Sequence, residues 1–323
     1  MKVKKIILWV ALVALCTQLT AQEKTAVRLL YWNIQNGMWS DQPNNYDHFV
    51  DFVKEQHPDI CVWCEAASIY YSHTATGYKS KDEAYLPSNW DSLAERYGHR
   101  FVYLGGWRDN YPQVITSKYP IRNVKRILGD VDKVIVAHGA GWAQIDIEGN
   151  TLNLVTLHTW PHAHAYLAKD VEQSKAEHGG DKYRAMEMQH ICESTILTVP
   201  NAADELWMMM GDFNSVSRVD AAHYSYEADS PRYLVHDYIR AQTPYRDIIY
   251  DHYGDDFQTS TGGKSRIDFV YATPRMEECI TFAKIYKSEG WLKVVRDPQK
   301  LSNFYHPSDH LPIVVDFELQ PKR

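Results

Sequence analysis

Apolar residues along this chain gather into short runs separated by Asn, Gly, Pro and Asp, with a few stretches of helical period between them. Residues 27–34 read as a strand that ends in polar residues, and 59–65 and 100–104 read the same way. Residues 113–116, followed by Tyr119-Pro120-Ile121, predict a strand and turn. Residues 134–137, 141–147 and 152–158 predict three more strands, with Glu148-Gly149-Asn150 as a hairpin turn. Residues 206–211 form a strongly apolar strand, and 266–272 and 311–317 supply two late ones. Helical spacing marks 46–56, where Phe49, Val50 and Val53 share a face and Pro58 closes the element. It also marks 90–97 and 183–197, the latter expected to turn Met186, Ile191 and Leu197 inward. Residues 224–250 are mixed and rich in Tyr. Strands that dominate, with helices between them, predict two packed sheets covered by helices.

Several of these strands end in an acid, an amide or an imidazole. The segments are Trp32-Asn33-Ile34-Gln35-Asn36-Gly37, Trp63-Cys64-Glu65, Leu157-His158-Thr159-Trp160-Pro161 and Gly211-Asp212-Phe213-Asn214. Arg266-Ile267-Asp268 and Ser308-Asp309-His310-Leu311-Pro312 complete the set. Oxygen ligands suit a hard divalent cation such as Mg²⁺, Mn²⁺ or Ca²⁺, and a carboxylate beside an imidazole can take a proton from water. Each segment also has a bland reading: Asn33 as a turn residue before Asn36-Gly37, Glu65 as half of a structural ion pair, His158 as a hydrogen-bonded strand end, and Asp212 to Asn214 as an Asx turn. Gly211 is expected to allow a tight exit from its strand, so that Asp212 and Asn214 face one pocket. No single segment decides the matter; their joint occurrence does.

Composition changes the picture in three places. Lys2, Lys4 and Lys5, followed by an apolar run over 6–15 and Ala21-Gln22, read as an export signal covering 1–21. That run is too short for a membrane span, which needs about 20 apolar residues, so a secreted or periplasmic protein with no transmembrane segment is expected. The chain carries 34 basic and 41 acidic residues. Without the three signal lysines, 31 basic face 41 acidic, a net of −10. That balance disfavours a stable nucleic-acid complex but leaves transient cleavage open. Four cysteines follow the signal. Cys61 and Cys64 lie in a buried strand with their sulfurs on opposite faces, as free thiols, while a Cys192–Cys279 disulfide is conceivable.

As a set, the motifs WNIQNG, the Glu65 strand end, LHTWP, GDFN, SRIDFVY and SDHLP resemble the endonuclease/exonuclease/phosphatase superfamily of DNase I-like metal-dependent phosphoesterases. The resemblance spans Asn33 to Pro312. It implies an α+β fold, a four-layer α/β/β/α sandwich of two mixed β-sheets flanked by helices, with 22–323 forming one catalytic domain. It implies that Glu65 and Asn33 form the metal site, Glu65 as ligand and Asn33 orienting it or binding the ion, with Asp309 also near the metal. It implies that His310 is a general base or a phosphate-binding imidazolium held by Asp268. Asp212 would position or deprotonate water, and Asn214 and His158 would grip phosphoryl oxygens. The substrate would be a phosphate ester: nucleic acid, phospholipid or sugar phosphate.

Two departures narrow this. No arginine-containing signature of the inositol phosphatases appears near the last Asp, and no basic loop suited to gripping DNA is present. Residues 160–182 look like an insertion beside His158 that shapes substrate choice. Two other readings compete. One is a non-catalytic binding module that kept the fold; against it, every matched position is intact. The other is a zinc hydrolase using His158, His162 and His164, but the Asp-His pair such a cluster needs is missing after His164.

Overall fold

The computed structural model describes residues 23–38, 41, 45–67, 90–106, 111–130, 134–161, 180–262, 264–287 and 308–322. The export signal, His162, His164 and most of the expected insertion lie outside the described residues.

Twelve described strands form two six-stranded sheets. The first contains β1 (Thr25–Asn33), β2 (Ile60–Cys64), β3 (Phe101–Leu104), β4 (Val114–Ser117), β11 (Ile280–Ile285) and β12 (Ile313–Leu319), in the order β11-β12-β1-β2-β4-β3. The second contains β5 (Ile121–Asp130), β6 (Val134–Ile147), β7 (Asn150–His158), β8 (Leu206–Asp212), β9 (Arg246–Asp247) and β10 (Asp268–Ala272), in the order β5-β6-β7-β8-β10-β9. Both sheets are mixed: β1 runs parallel to β2, and β7 to β8, while the other pairs are antiparallel.

Side-chain alternation builds three apolar layers. In β1, Val27, Leu29 and Tyr31 enter the layer between the sheets, while Leu30 and Trp32 face the other way. Met208 and Met210 of β8 and Val270 and Ala272 of β10 enter the same central layer from the second sheet. The outer face of the first sheet packs on α1 (Asp47–Gln56) and α2 (Trp90–Arg96) through Phe49, Val53, Trp90 and Leu93. The outer face of the second packs on α3 (Asp181–Ser194) and α4 (Leu234–Gln242) through Met188, Ile191, Val235 and Ile239. The result is the expected four-layer α/β/β/α sandwich. The turn at Glu148 and Gly149 is present, both in the left-handed region, and α5 (Ile248–Tyr253) follows β9.

The structure corrects several expectations. In α3 only Ile191 of the three named residues is inward; Met186 and Leu197, the latter in the short 3-10 turn beyond the helix, are exposed. The inward face is Asp181, Arg184, Glu187, Met188, Ile191 and Cys192, and three of those six are charged. A reading by hydrophobicity therefore chose the wrong face. Residues 134–137 and 141–147 form one continuous strand, because Gly139 in the left-handed region is accommodated within β6. β5 escaped notice because its outward residues Arg122, Lys125 and Arg126 give an edge strand a polar pattern. All four described cysteines are free, with Cys192 and Cys279 packed in different layers, so the conceivable disulfide is not formed. Cys61 and Cys64 do lie on opposite faces of β2.

Gly211 lies within the strand, and its role is close approach. A Cβ there would sit 2.0 Å from the Leu157 carbonyl oxygen on the parallel neighbour. Gly211→Ala should therefore destabilise the protein by about 1–3 kcal/mol through overpacking, read as a lower urea midpoint at unchanged slope.

Candidate active site

The register of the sheets assembles the site. His158, Asp212 and Asp268 stand side by side across β7, β8 and β10, and Asn33 stands beside Cys64 across β1 and β2. Each of the four continues the parity that points into the central layer; Asn33, His158 and Asp212 close their strands, and Asp268 opens β10. Glu65 follows β2 in the left-handed region, φ 55°, and Asn214 follows β8 at φ 45°. After β1, Gln35, Asn36, Gly37 and Met38 are all left-handed, a turn whose Asn36 N–H donates to Glu65 Oε2 at 3.0 Å. Non-glycine residues enter this region at a cost of about 1–2 kcal/mol each, and three such residues in sequence mark a backbone held by its surroundings.

Asn33 ties the two sheets together. Its Nδ2 donates to Glu65 Oε1 at 3.3 Å and to Asp212 Oδ2 at 3.1 Å, while its Oδ1 accepts from the Gln35 N–H. In this orientation Asn33 orients the carboxylates. His310, three residues before β12, is 8% exposed and reaches the second sheet, with Nδ1 2.7 Å from Asp268 Oδ2. Its other nitrogen, Nε2, lies 3.7 Å from Asp212 Oδ2 and 3.9 Å from Asp309 Oδ1. Ser308 supports this turn by donating to the Asn33 carbonyl and accepting from the His310 N–H. His158 Nε2 lies 3.7 Å from the same Asp212 oxygen, and its Nδ1 is buried without a partner.

Asn214 is 8% exposed; its N–H donates to Asp212 Oδ1 and its Nδ2 to the Thr159 carbonyl. The Asx turn is present, and Asn214 braces the ends of β7 and β8. Asp309 stands exposed at the rim.

Burial dominates the electrostatics. Burial, then Asp268, pushes the Asp212 carboxyl up to about 7, against the opposing pull of His310. Burial raises Glu65 as well. His158 is held well below its ordinary value by burial, His138 and His310, which favours the neutral ring. Burial alone would lower His310 too, but Asp268 and Asp212 outweigh it and lift it well above the ordinary imidazole range.

Two clusters among the described residues bring ligand atoms within 4.8 Å of one another: Glu65, His158 and Asp212, and Asp212, Asp268 and His310. Gln35 Oε1 and Asn36 Oδ1, on the turn that binds Glu65, are buried acceptors with no hydrogen-bond partner. Crowded carboxylates and orphaned amide oxygens are what a hard divalent cation requires. The residues fit such an ion, with Glu65 and Asp212 the central oxygen donors.

Reading the sequence missed several residues around this centre. Tyr31 and Ser260 both donate to Asp268, at 2.6 and 2.7 Å. The His138 ring packs 4.3 Å from that of His158, beside Tyr111 and Trp160. Glu187, raised to about 7 by burial, accepts from the Ala137 and Trp160 N–H groups and so braces the strands carrying His138 and His158. The parity of β1 could have flagged Tyr31, and a histidine closing the run Val134-Ile135-Val136-Ala137 could have flagged His138. Nothing local could have flagged Ser260 or Glu187.

No family model matches the chain, and no curated protein matches it. Solved structures do. An AP endonuclease from Archaeoglobus fulgidus matches with TM-score 0.58 and 15% identity, over 90% of this chain and 99% of that one. A 3'-5' exonuclease (NExo) from Neisseria meningitidis matches with TM-score 0.54 and 13% identity, over 90% and 99%. TDP2 from D. rerio complexed with single strand DNA product matches with TM-score 0.55 and 13% identity, over 91% and 99%.

The raised Asp212 carboxyl has a consequence for stability. Its folded value, about 7, lies above the ordinary 3.8, so the folded metal-free protein holds a proton that the unfolded chain releases. The stability this provides is complete below pH 3.8 and is lost as pH rises toward 7. Asp212→Asn should therefore melt progressively higher than the parent protein as pH increases across that window, in thermal melts with EDTA present. With these geometries in place, the chain has the fold of the endonuclease/exonuclease/phosphatase proteins, the DNase I-like sandwich.

Proposed function

We propose that this protein is a divalent-metal-dependent phosphodiesterase that hydrolyses a P–O bond by in-line attack of water. One observation carries the reading: six polar residues spread from Asn33 to His310 meet at one end of the two sheets, across both of them.

Glu65 and Asp212 would hold a divalent ion, Mg²⁺, Mn²⁺ or Ca²⁺, with Asn33 fixing their orientation and Asp309 available at the rim. When bound, such an ion neutralises the phosphate oxygens and the charge that develops on them. The remaining work belongs to side chains. His310, its Nδ1 held by Asp268, presents Nε2 toward the space beside Asp212. The charge around it favours imidazolium, which suits a grip on a phosphoryl oxygen. Asp212 then orients the water and takes its proton. Neutral His158 directs Nε2 to the same space and can donate to a second phosphoryl oxygen. Asn214 keeps Asp212 aimed. No covalent intermediate is needed.

Support for a nucleic-acid diester comes from fold relatives named as an AP endonuclease, an exonuclease and a TDP2 in complex with single strand DNA product. The net of −10 favours turnover over retention. No helix among the described residues is long and apolar enough to cross a membrane. Export through residues 1–21 is part of the same proposal.

The purified protein with Mg²⁺ should cleave bis-p-nitrophenyl phosphate in preference to p-nitrophenyl phosphate, and EDTA should abolish turnover. His310→Ala and Glu65→Ala should each lower kcat/KM by roughly 10²–10⁴-fold, the range for loss of a group that moves a proton or stabilises developing charge. Single-stranded oligonucleotide, plasmid, sphingomyelin and a sugar phosphate, assayed side by side, distinguish the substrate classes. Turnover that persists in both variants would remove the mechanism.

A further inference from the structure

We propose that Tyr31 is a positioning residue of this site, a phenol contributed by the opposite sheet that fixes the Asp268 carboxylate and, through it, the His310 imidazole. This deepens the phosphodiesterase reading and rests on it.

Asp268 is fully buried and has to hold an imidazole in one orientation. Its Oδ2 receives two groups, the Ser260 hydroxyl at 2.7 Å and His310 Nδ1 at 2.7 Å. Both contacts fall on one oxygen. With only those, Oδ1 would have no donor and the carboxylate would be held by one oxygen alone. The Tyr31 hydroxyl, donating to Oδ1 at 2.6 Å, is the contact that fixes the other oxygen.

Tyr31 is well placed to hold that position. It is 0% exposed, two residues before Asn33, in the inward row of β1 that otherwise carries Val27 and Leu29. Its backbone stands opposite Ile313 of β12 and Val62 of β2. Neighbours on both sides of the strand therefore set its depth. A phenylalanine would fill the same apolar space, so packing does not explain the hydroxyl. A buried phenol is costly unless its O–H finds an acceptor, and here the acceptor is the carboxylate that the imidazole needs.

The chain runs from one sheet to the other and back, Tyr31 to Asp268 to His310, with the imidazole leaving the same end of the first sheet that supplies the phenol. The sheet-to-sheet spacing is thereby coupled to the aim of Nε2. A bond that only stabilised the core would leave the turnover step alone.

The test is Tyr31→Phe, which keeps the ring and its packing. With Mg²⁺ and bis-p-nitrophenyl phosphate, kcat should fall roughly 10-fold with KM within about twofold, the size of one hydrogen bond to a charged group. Asp268→Asn alone should lose more. Tyr31→Phe added to it should cost nothing further, because Tyr31 acts through Asp268. In the metal-free protein, the downfield NMR resonance of the His310 Nδ1 proton should shift in Tyr31→Phe. An unchanged kcat, losses that multiply in the double variant, or an unmoved resonance would each overturn the proposal. Absence of turnover in the parent protein would sink the phosphodiesterase reading instead, and the resonance would still report whether Tyr31 positions His310.

Discussion

Three carboxylates, those of Glu65, Asp212 and Asp268, are brought together where two sheets end, and the rest of the site is arranged around the cost of doing so. Charged groups taken from water need partners. Asp268 has three: a phenol, a serine hydroxyl and an imidazole. Its charge is well compensated. Asp212 has an amide from Asn33 and a backbone N–H from Asn214, with two imidazole nitrogens at 3.7 Å, and its carboxyl is driven upward by burial and by Asp268. Glu65 has an amide and a backbone N–H. The compensation is therefore uneven, complete at the carboxylate that holds an imidazole and incomplete at the two that face the clustered space. Incomplete neutralisation at those two leaves negative charge that a divalent cation could offset.

The same arrangement explains where the backbone departs from its comfortable regions. A strand delivers its last side chain inward only if the chain then leaves abruptly, since another extended residue would run into the opposing layer or out into solvent. β1 leaves through four left-handed residues, β2 through Glu65 and β8, after Phe213, through Asn214. The turn after β1 places the Asn36 N–H on Glu65, so the strained segment and the charged one are bonded to each other. Substitutions that relax either turn would release strain and disperse the carboxylates together.

Much of this was legible in the sequence, for a specific reason. The fold and the convergence of Asn33, Glu65, His158, Asp212, Asp268 and His310 could be anticipated because each residue borders an apolar run, at its end or, for Asp268 and His310, at its start, a signal carried within a few neighbouring positions. β5 was hidden because an edge strand with one wet face has no such run. The inward face of α3 was hidden because Arg184 and Glu187 are buried as hydrogen-bonded charges, and hydrophobicity ranks them as exposed. Ser260 was invisible because its importance comes from accepting two N–H groups, of Ile267 and Asp268, while donating to the Asp268 carboxylate. That relation exists only once the loop has folded over β10. Gly211 was noticed for the wrong physical cause: it makes room for a neighbouring carbonyl, whereas the turn itself is made three residues later, at Asn214.

The division of labour between the two sheets follows from these contacts. The first sheet supplies Asn33, Glu65 and, just before β12, His310; the second supplies Asp212, Asp268 and His158. Neither sheet holds a complete constellation. The Asn33 amide bonds Asp212 across the gap, and Asp268 receives both Tyr31 and His310 from the far side. The central apolar layer sets how far apart these partners stand, since Tyr31 belongs to it directly and Met210 and Val270 lie two residues from Asp212 and Asp268. Packing at that interface and the geometry of the site are thus one variable. A core substitution that changes the spacing of the sheets by a few tenths of an ångström acts directly on the length and angle of hydrogen bonds of 2.6–3.1 Å.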